Sequence, residues 1–132
     1  TVGGALEGFL HDIPALAISR DIESEISFEA VADSAAQYFK RQLELGDVFF
    51  HNLNFPKSYR AERAEFKICK LGKRDYINAF KRREIDGRTY IEIRGEIYDS
   101  DKGEGTDIFA VENGYVSVTP LHFDVVHHEK VF

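Results

Sequence analysis

Apolar positions follow three different rhythms along this chain, and each rhythm predicts a different kind of element. Residues Thr1 to Leu10 place Ala5, Leu6, Phe9 and Leu10 on one side of a helix that ends near His11 and Asp12. The next run, Ile13-Pro14-Ala15-Leu16-Ala17-Ile18-Ser19, is apolar almost without interruption, as in a strand covered on both faces of a parallel sheet. Its proline stands near the start, where a missing N–H does little harm. Ser27 is placed to cap a second helix in which Phe28, Val31, Ala32, Ala35, Ala36 and Phe39 keep helical spacing, and Gly46 is placed to end it. Val48 to Asn54 reads as another strand, stopped by Pro56. This alternation is α/β in character, and the parallel sheet it implies needs strands that precede Thr1.

Between Asn78 and Tyr98 the rhythm becomes strict alternation around Asp86-Gly87, a strong hairpin signal. With those two residues in the turn, Phe80 faces Ile93, Arg82 faces Ile91 and Lys81 faces Glu92. Ile91, Ile93 and Ile97 then share one face, and Tyr90, Glu92, Arg94 and Glu96 share the other. A two-stranded ribbon does not bury an isoleucine stripe by itself, so it must lie on its own domain or on another subunit. Asp99 to Gly105 reads as a flexible acidic loop, Thr106 as the cap of a short helix through Val111, and Tyr115 to Thr119 as a strand closed by Pro120. Asp124 is placed to cap a last helical segment running towards Phe132. No internal repeat, low-complexity tract or linker interrupts the chain.

Composition narrows the class. A chain of 132 residues forms one domain with a modest core, and 43% hydrophobic with 30% charged residues is ordinary for a soluble globular protein. No apolar run approaches the roughly 20 residues of a membrane span, and the first residues lack a basic-then-apolar signal pattern, so no membrane partner is expected. Cys69 stands alone, which excludes an intrachain disulfide and fits a cytoplasmic location. The absence of methionine fits either removal of an initiator or a piece of a longer protein.

The net charge of −6 hides an asymmetry: residues 57 to 94 carry twelve Lys/Arg against six Asp/Glu, while the rest carries five against seventeen. A basic middle with acidic flanks steers an anionic substrate or docks on an acidic neighbour, or simply solvates a hairpin. Without aromatic residues interleaved in a basic stripe, no nucleic-acid polymer is expected as a partner.

Candidate chemistry begins at Thr1-Val2-Gly3-Gly4-Ala5-Leu6-Glu7-Gly8. The first turn of a helix leaves N–H groups unpaired and carries partial positive charge, which suits phosphate, and small residues permit close approach. The spacing is neither a P-loop nor the Rossmann fingerprint, and the same segment also reads as a small-residue helix packed tightly on a sheet. His122, Asp124, His127 and His128 have metal-ligand chemistry, but the two adjacent histidines diverge on a helix, and ordinary surface histidines are the plainer reading. His11 and His51 are isolated. Cys69 has no His partner at catalytic spacing and reads as an inert buried thiol. No Ser-His-Asp or nucleophile-elbow arrangement is legible.

Two segments carry a family resemblance. Thr1-Val2-Gly3-Gly4-Ala5-Leu6-Glu7-Gly8, and Gly105-Thr106-Asp107 with Ala110-Val111 and Gly114-Tyr115-Val116-Ser117-Val118-Thr119-Pro120-Leu121, resemble the C-terminal half of SurE proteins, the survival nucleotidase and acid phosphatase family. Leu53-Asn54-Phe55-Pro56 is similar to a family strand end, whereas Cys69-Lys70-Leu71-Gly72 departs from the family's Thr-Arg-Gln-Gly run and puts that run's role in doubt. Thr106, Asp107 and Gly114 read as structural, in a cap and a turn.

The resemblance implies part of a Rossmann-type three-layer α/β sheet with a protruding β-hairpin arm, the N-terminal half of the fold lying outside this chain. It divides the chain into a core segment 1–56, an arm region 57–104 and a return to the core at 105–132. The implied activity is metal-dependent hydrolysis of nucleoside 5'-monophosphates or other small phosphomonoesters. The alternative is a non-catalytic oligomerisation or scaffold domain on the same fold. A divalent cation, magnesium or manganese, is implied, held by paired aspartates, a serine and an asparagine that would precede Thr1, since the family's Asn-Asp-Asp-Gly run is absent here. The isolated chain is therefore expected to be inactive, with no catalytic or metal residue of its own. Thr1 matches the last residue of the family's Ser-Gly-Thr turn, which points to Thr1 and the amides of Val2 and Gly3 as phosphate-binding groups. Family dimers exchange such an arm, which makes Ile91, Ile93 and Ile97 the expected oligomer interface of a homodimer or tetramer.

Overall fold

Four strands build the central sheet, in the order β1 (Ala15–Arg20), β2 (Phe50–Phe55), β8 (Val116–Pro120) and β3 (Phe66–Ile68). The computed structural model describes residues 1–77, 80–93 and 95–123, with the backbone alone at Ile93. β1 and β2 run parallel, β8 is antiparallel to β2, and β3 is parallel to β8, so the sheet is mixed. The antiparallel return of β8 was not legible in the chain, because the apolar–polar alternation of a strand does not encode its direction.

Side-chain alternation divides the sheet into two unlike faces. Leu53, Phe55, Val116 and Val118 point to one side and pack on Val31 and Ala35 of helix α2 (Phe28–Glu44), with Tyr59 completing the cluster. Tyr59 and Ser34 share a hydrogen bond at its margin. The other face carries helix α1 (Val2–Leu10), whose Phe9 stacks on Phe50 with ring centroids 5.6 Å apart. Helix α3 (Asp107–Glu112) packs on β8 and β2. Helices thus cover both faces, the three-layer arrangement of an α/β unit.

Ser27 caps α2 as expected, its hydroxyl accepting from the Ala30 amide at 3.2 Å. The buried face of α2 differs from the expected stripe. Val31 and Ala35 are buried, Ser34 and Tyr38 lie half-buried beside them, and Ala32, Ala36 and Phe28 are exposed, the last at 71%. The helix packs against Leu16 of β1 as well as the side chains of β2 and β8, and one flank of its wide apolar surface stays bare. Ile18, expected to be covered, is 37% exposed.

The middle of the chain forms two ribbons. Strands β5 (Phe80–Ile85) and β6 (Arg88–Ile93) pair antiparallel in the expected register, with Phe80 opposite Ile93, Lys81 opposite Glu92 and Arg82 opposite Ile91. Asp86 and Gly87 both adopt positive φ, 49° and 71°, the primed turn that matches strand twist. Strands β4 (Lys73–Ile77) and β7 (Glu96–Asp101) form the second ribbon, with Tyr76 opposite Ile97. Ile97 therefore belongs to a different ribbon from Ile91. The expected acidic loop is shorter than its sequence suggests, because Asp99 to Asp101 finish β7. Arg74 grips Asp99 through two hydrogen bonds of 2.7 and 3.2 Å, and Ser100 donates to Asp75 at 2.8 Å. The expected helical segment from Asp124 lies outside the described residues.

Candidate functional site

α1 runs antiparallel to β1. Its C-terminal end meets the start of that strand, where Gly8 is so close that a Cβ would lie 3.7 Å from the Ala15 methyl. Its first turn is accordingly directed towards the carboxyl ends of β1 and β2. Thr1 stands at the N-cap, is exposed, and makes no side-chain hydrogen bond to the helix; no acidic residue occupies the first turn. Nothing lies within 4 Å of a Cβ built at Gly3 or Gly4, so the close approach that these small residues allow is made to nothing among the described residues.

The same edge of the sheet holds a cleft of about 840 Å³, between the strand ends and α3. Ser19 and Asn54 form its floor. They are register partners across the β1–β2 pair, and Asn54 donates to Ser117 on β8 at 3.3 Å. Ile108 and Val111 give apolar walls, and Arg20, Lys57, Arg74, Asp21, Asp107 and Glu112 ring the mouth. The cations there are already engaged. Arg74 is bound to Asp99, Lys57 to Glu23 at 2.7 Å, and Arg20 donates to the Ser24 carbonyl with its guanidinium 4.1 Å above the Phe28 ring. Asp99 holds the Arg74 guanidinium above its ordinary pKa, and Arg74 in turn holds the Asp99 carboxyl below its own, mainly through their hydrogen bond.

Gly72 closes one side of the cleft and explains a run whose role was in doubt. A Cβ there would stand 2.6 Å from the Asp101 carbonyl oxygen and 2.8 Å from Ile108 Cδ1, so the backbone passes where only glycine fits. The Gly72 amide donates to Asp107 Oδ1 at 2.7 Å, and the Ile108 amide donates to the same oxygen at 2.9 Å. Asp107 thus ties the loop before β4 to the start of α3. Thr106 is fully buried, its hydroxyl accepting from the Phe109 amide at 3.1 Å and donating to the Gly103 carbonyl at 2.8 Å. The structural reading of Thr106 and Asp107 is the one their contacts support.

The remaining candidates stand apart from this edge. Cys69 is buried, its thiol donating to the Lys67 carbonyl at 3.2 Å, and burial pushes its pKa up, which opposes nucleophilic chemistry. His51 lies near the opposite end of β2, its Nδ1 2.8 Å from the Tyr38 hydroxyl, and burial lowers its pKa. His11 is the C-cap residue of α1, 3.4 Å from Glu7. His122 is exposed, while Asp124, His127 and His128 lie outside the described residues. Among the described residues no group of three or more His, Cys, Asp or Glu is arranged to hold a metal ion. The donor set of a divalent site does not fit the described part of this chain. No described helix is long and apolar enough to cross a membrane.

A sheet with helices on both faces and a polar cleft outside the carboxyl ends of paired parallel strands defines an α/β domain of the open-sheet class. The family model described as "Survival protein SurE" matches residues 1–78, and the chain belongs to the SurE family. The 5'-nucleotidase SurE of Heliobacterium modesticaldum is 37% identical over 135 residues, a match spanning 99% of this chain and 49% of that protein. The 5'-nucleotidase SurE of Moorella thermoacetica is 38% identical over 133 residues, spanning 97% and 50%. The crystal structure of the SurE protein from Aquifex aeolicus matches with a TM-score of 0.71 and 36% identity, over 98% of this chain and 53% of that one. The chain spans about half the length of these relatives.

The cleft was not found from sequence. Its residues come from β1, β2, the loop before β4, and α3, which are far apart in the chain. The available signal was a polar residue at the end of each of two apolar strands, Ser19 and Asn54.

Proposed function

We propose that this chain is part of a phosphomonoesterase that hydrolyses nucleoside 5'-monophosphates. In that reaction water adds to phosphorus, the bond to the 5'-oxygen breaks, and inorganic phosphate and nucleoside leave. The observation that carries the reading is the position of the first turn of α1, directed to the sheet edge that also holds the cleft, in a chain whose relatives bear the name 5'-nucleotidase. Thr1 and the amides of Val2 and Gly3 take the phosphate there, since exposed first-turn N–H groups favour an anion. The divalent cation implied by the resemblance, magnesium or manganese, has its ligands outside this chain, and the 132-residue chain alone releases no phosphate. The working protein is a cytoplasmic homodimer or tetramer, joined through the arm that carries Ile91, Ile93 and Ile97.

The test is steady-state kinetics on the full-length protein with Thr1→Ala and Gly3→Val. Losing one hydrogen bond to a charged group costs about 1.5–3 kcal/mol, so Thr1→Ala should lower kcat/KM about ten- to a hundredfold. Gly3→Val should cost more, and because a Cβ at Gly3 meets nothing within 4 Å, that loss would report on substrate rather than on packing within this chain. Unchanged efficiency in both folded variants reduces α1 to a packing helix.

A further inference from the structure

The proposed activity puts a phosphate at α1 and leaves open where the rest of the substrate goes. Phosphate binding and leaving-group binding ask for different chemistry, and the cleft between the strand ends and α3 answers only the second. Its mouth carries three cationic and three acidic side chains, so it offers an anion no net attraction. Two of its cations are paired besides, Arg74 with Asp99 and Lys57 with Glu23. Arg20 donates through one terminal nitrogen to the Ser24 carbonyl, while its buried Nε has no partner among the described residues. What remains towards the interior is uncharged. Ser19, Asn54 and Ser58 offer hydroxyl and amide groups, and Ile108 and Val111 offer apolar walls.

Such a lining suits a neutral group that is flat or ring-shaped and rich in hydroxyls. The volume of about 840 Å³ falls within the roughly 300–1,000 Å³ usual for ligand clefts. Asn54 is held at one end by Ser117, which fixes the amide plane and leaves its other end, among the described residues, without a partner. A preoriented amide discriminates well, because a substrate lacking the matching group leaves it unpaired.

We infer that this cleft binds the nucleoside portion of the substrate, with Asn54 and Ser19 recognising its hydroxyl or base edges beside the apolar walls of Ile108 and Val111. The inference rests on the phosphomonoesterase reading for the phosphate's place, but the cleft's selectivity is separable from the chemical step.

The experiment compares adenosine 5'-monophosphate with p-nitrophenyl phosphate in the full-length protein. The second substrate has a reactive leaving group that bears neither sugar hydroxyls nor a base. Asn54→Leu removes the amide, and Val111→Phe fills the cleft from α3. Each should lower the ratio of kcat/KM for the nucleotide over the small ester at least tenfold, mainly through KM, with circular dichroism unchanged. Adenosine, as product inhibitor, should lose potency in step. Equal losses for both substrates, or no loss for either, overturn the assignment. If the wild type hydrolyses neither substrate, the function reading fails, and calorimetry with adenosine decides the cleft on its own. Binding that Val111→Phe abolishes sustains it, and no binding overturns it.

Discussion

Adding a single methyl at Gly72 probes the joint between the ribbon and the body of the domain. In Gly72→Ala the new Cβ would stand 2.6 Å from the Asp101 carbonyl oxygen, whereas ordinary contact begins at 3.4 Å. The Ile108 methyl, 2.8 Å away, can rotate, but the carbonyl belongs to β7 and is held by pairing with β4. Relief therefore requires the ribbon to move away from α3, which strains the Gly72 amide bond to Asp107. Forcing a methyl into a packed site typically costs about 1–3 kcal/mol. Alanine recovers about 0.4–1 kcal/mol by restricting the unfolded chain. The net expectation is a loss of about 1–2 kcal/mol, or about 3–10 °C in Tm for a chain of this length. Thermal and urea unfolding followed by circular dichroism measure it. Gly103→Ala is the control, since its Cβ meets nothing nearer than Asp101 Oδ1 at 3.7 Å. If Gly72→Ala melts within about 1 °C of both wild type and this control, the argument from close approach is wrong.

Two further outcomes test other parts of the molecule. Ile91 is 70% exposed and Ile97 57% exposed, and burying an isoleucine side chain is worth about 1.5–3 kcal/mol, so Ile91→Lys with Ile93→Lys should shift the protein towards monomer or aggregate in light scattering; an unchanged mass and melting temperature would remove the arm from the interface. His51 takes up its proton at lower pH when folded than its unfolded value near 6.5, so its contribution is full above that pH, falls as pH drops towards the folded value, and levels off below it. His51→Phe should flatten that part of the stability–pH curve, and an unchanged slope would sink the assignment.

Local rules fixed much of this chain without any tertiary help. The caps Ser27 and Thr106, the apolar run after Pro14, and the Asp86-Gly87 turn each specify their element through hydrogen bonds or backbone conformations made within a few residues. Hairpin register followed too, because a two-residue turn leaves one way to pair the strands. The family motifs at residues 1–8 and 105–121 were equally legible, being contiguous. Tertiary structure decided the rest. Only the packed sheet sets β8 antiparallel beside β2, lays Val31 and Ala35 rather than Ala32 and Ala36 against the core, and ends the acidic stretch in a strand by offering Arg74 to Asp99. It also gives Gly72 its purpose and brings Ser19, Asn54 and Ile108 to one cleft. These features depend on contacts between residues distant in the chain, and periodicity, which reports only on a residue's near neighbours, carries no information about them.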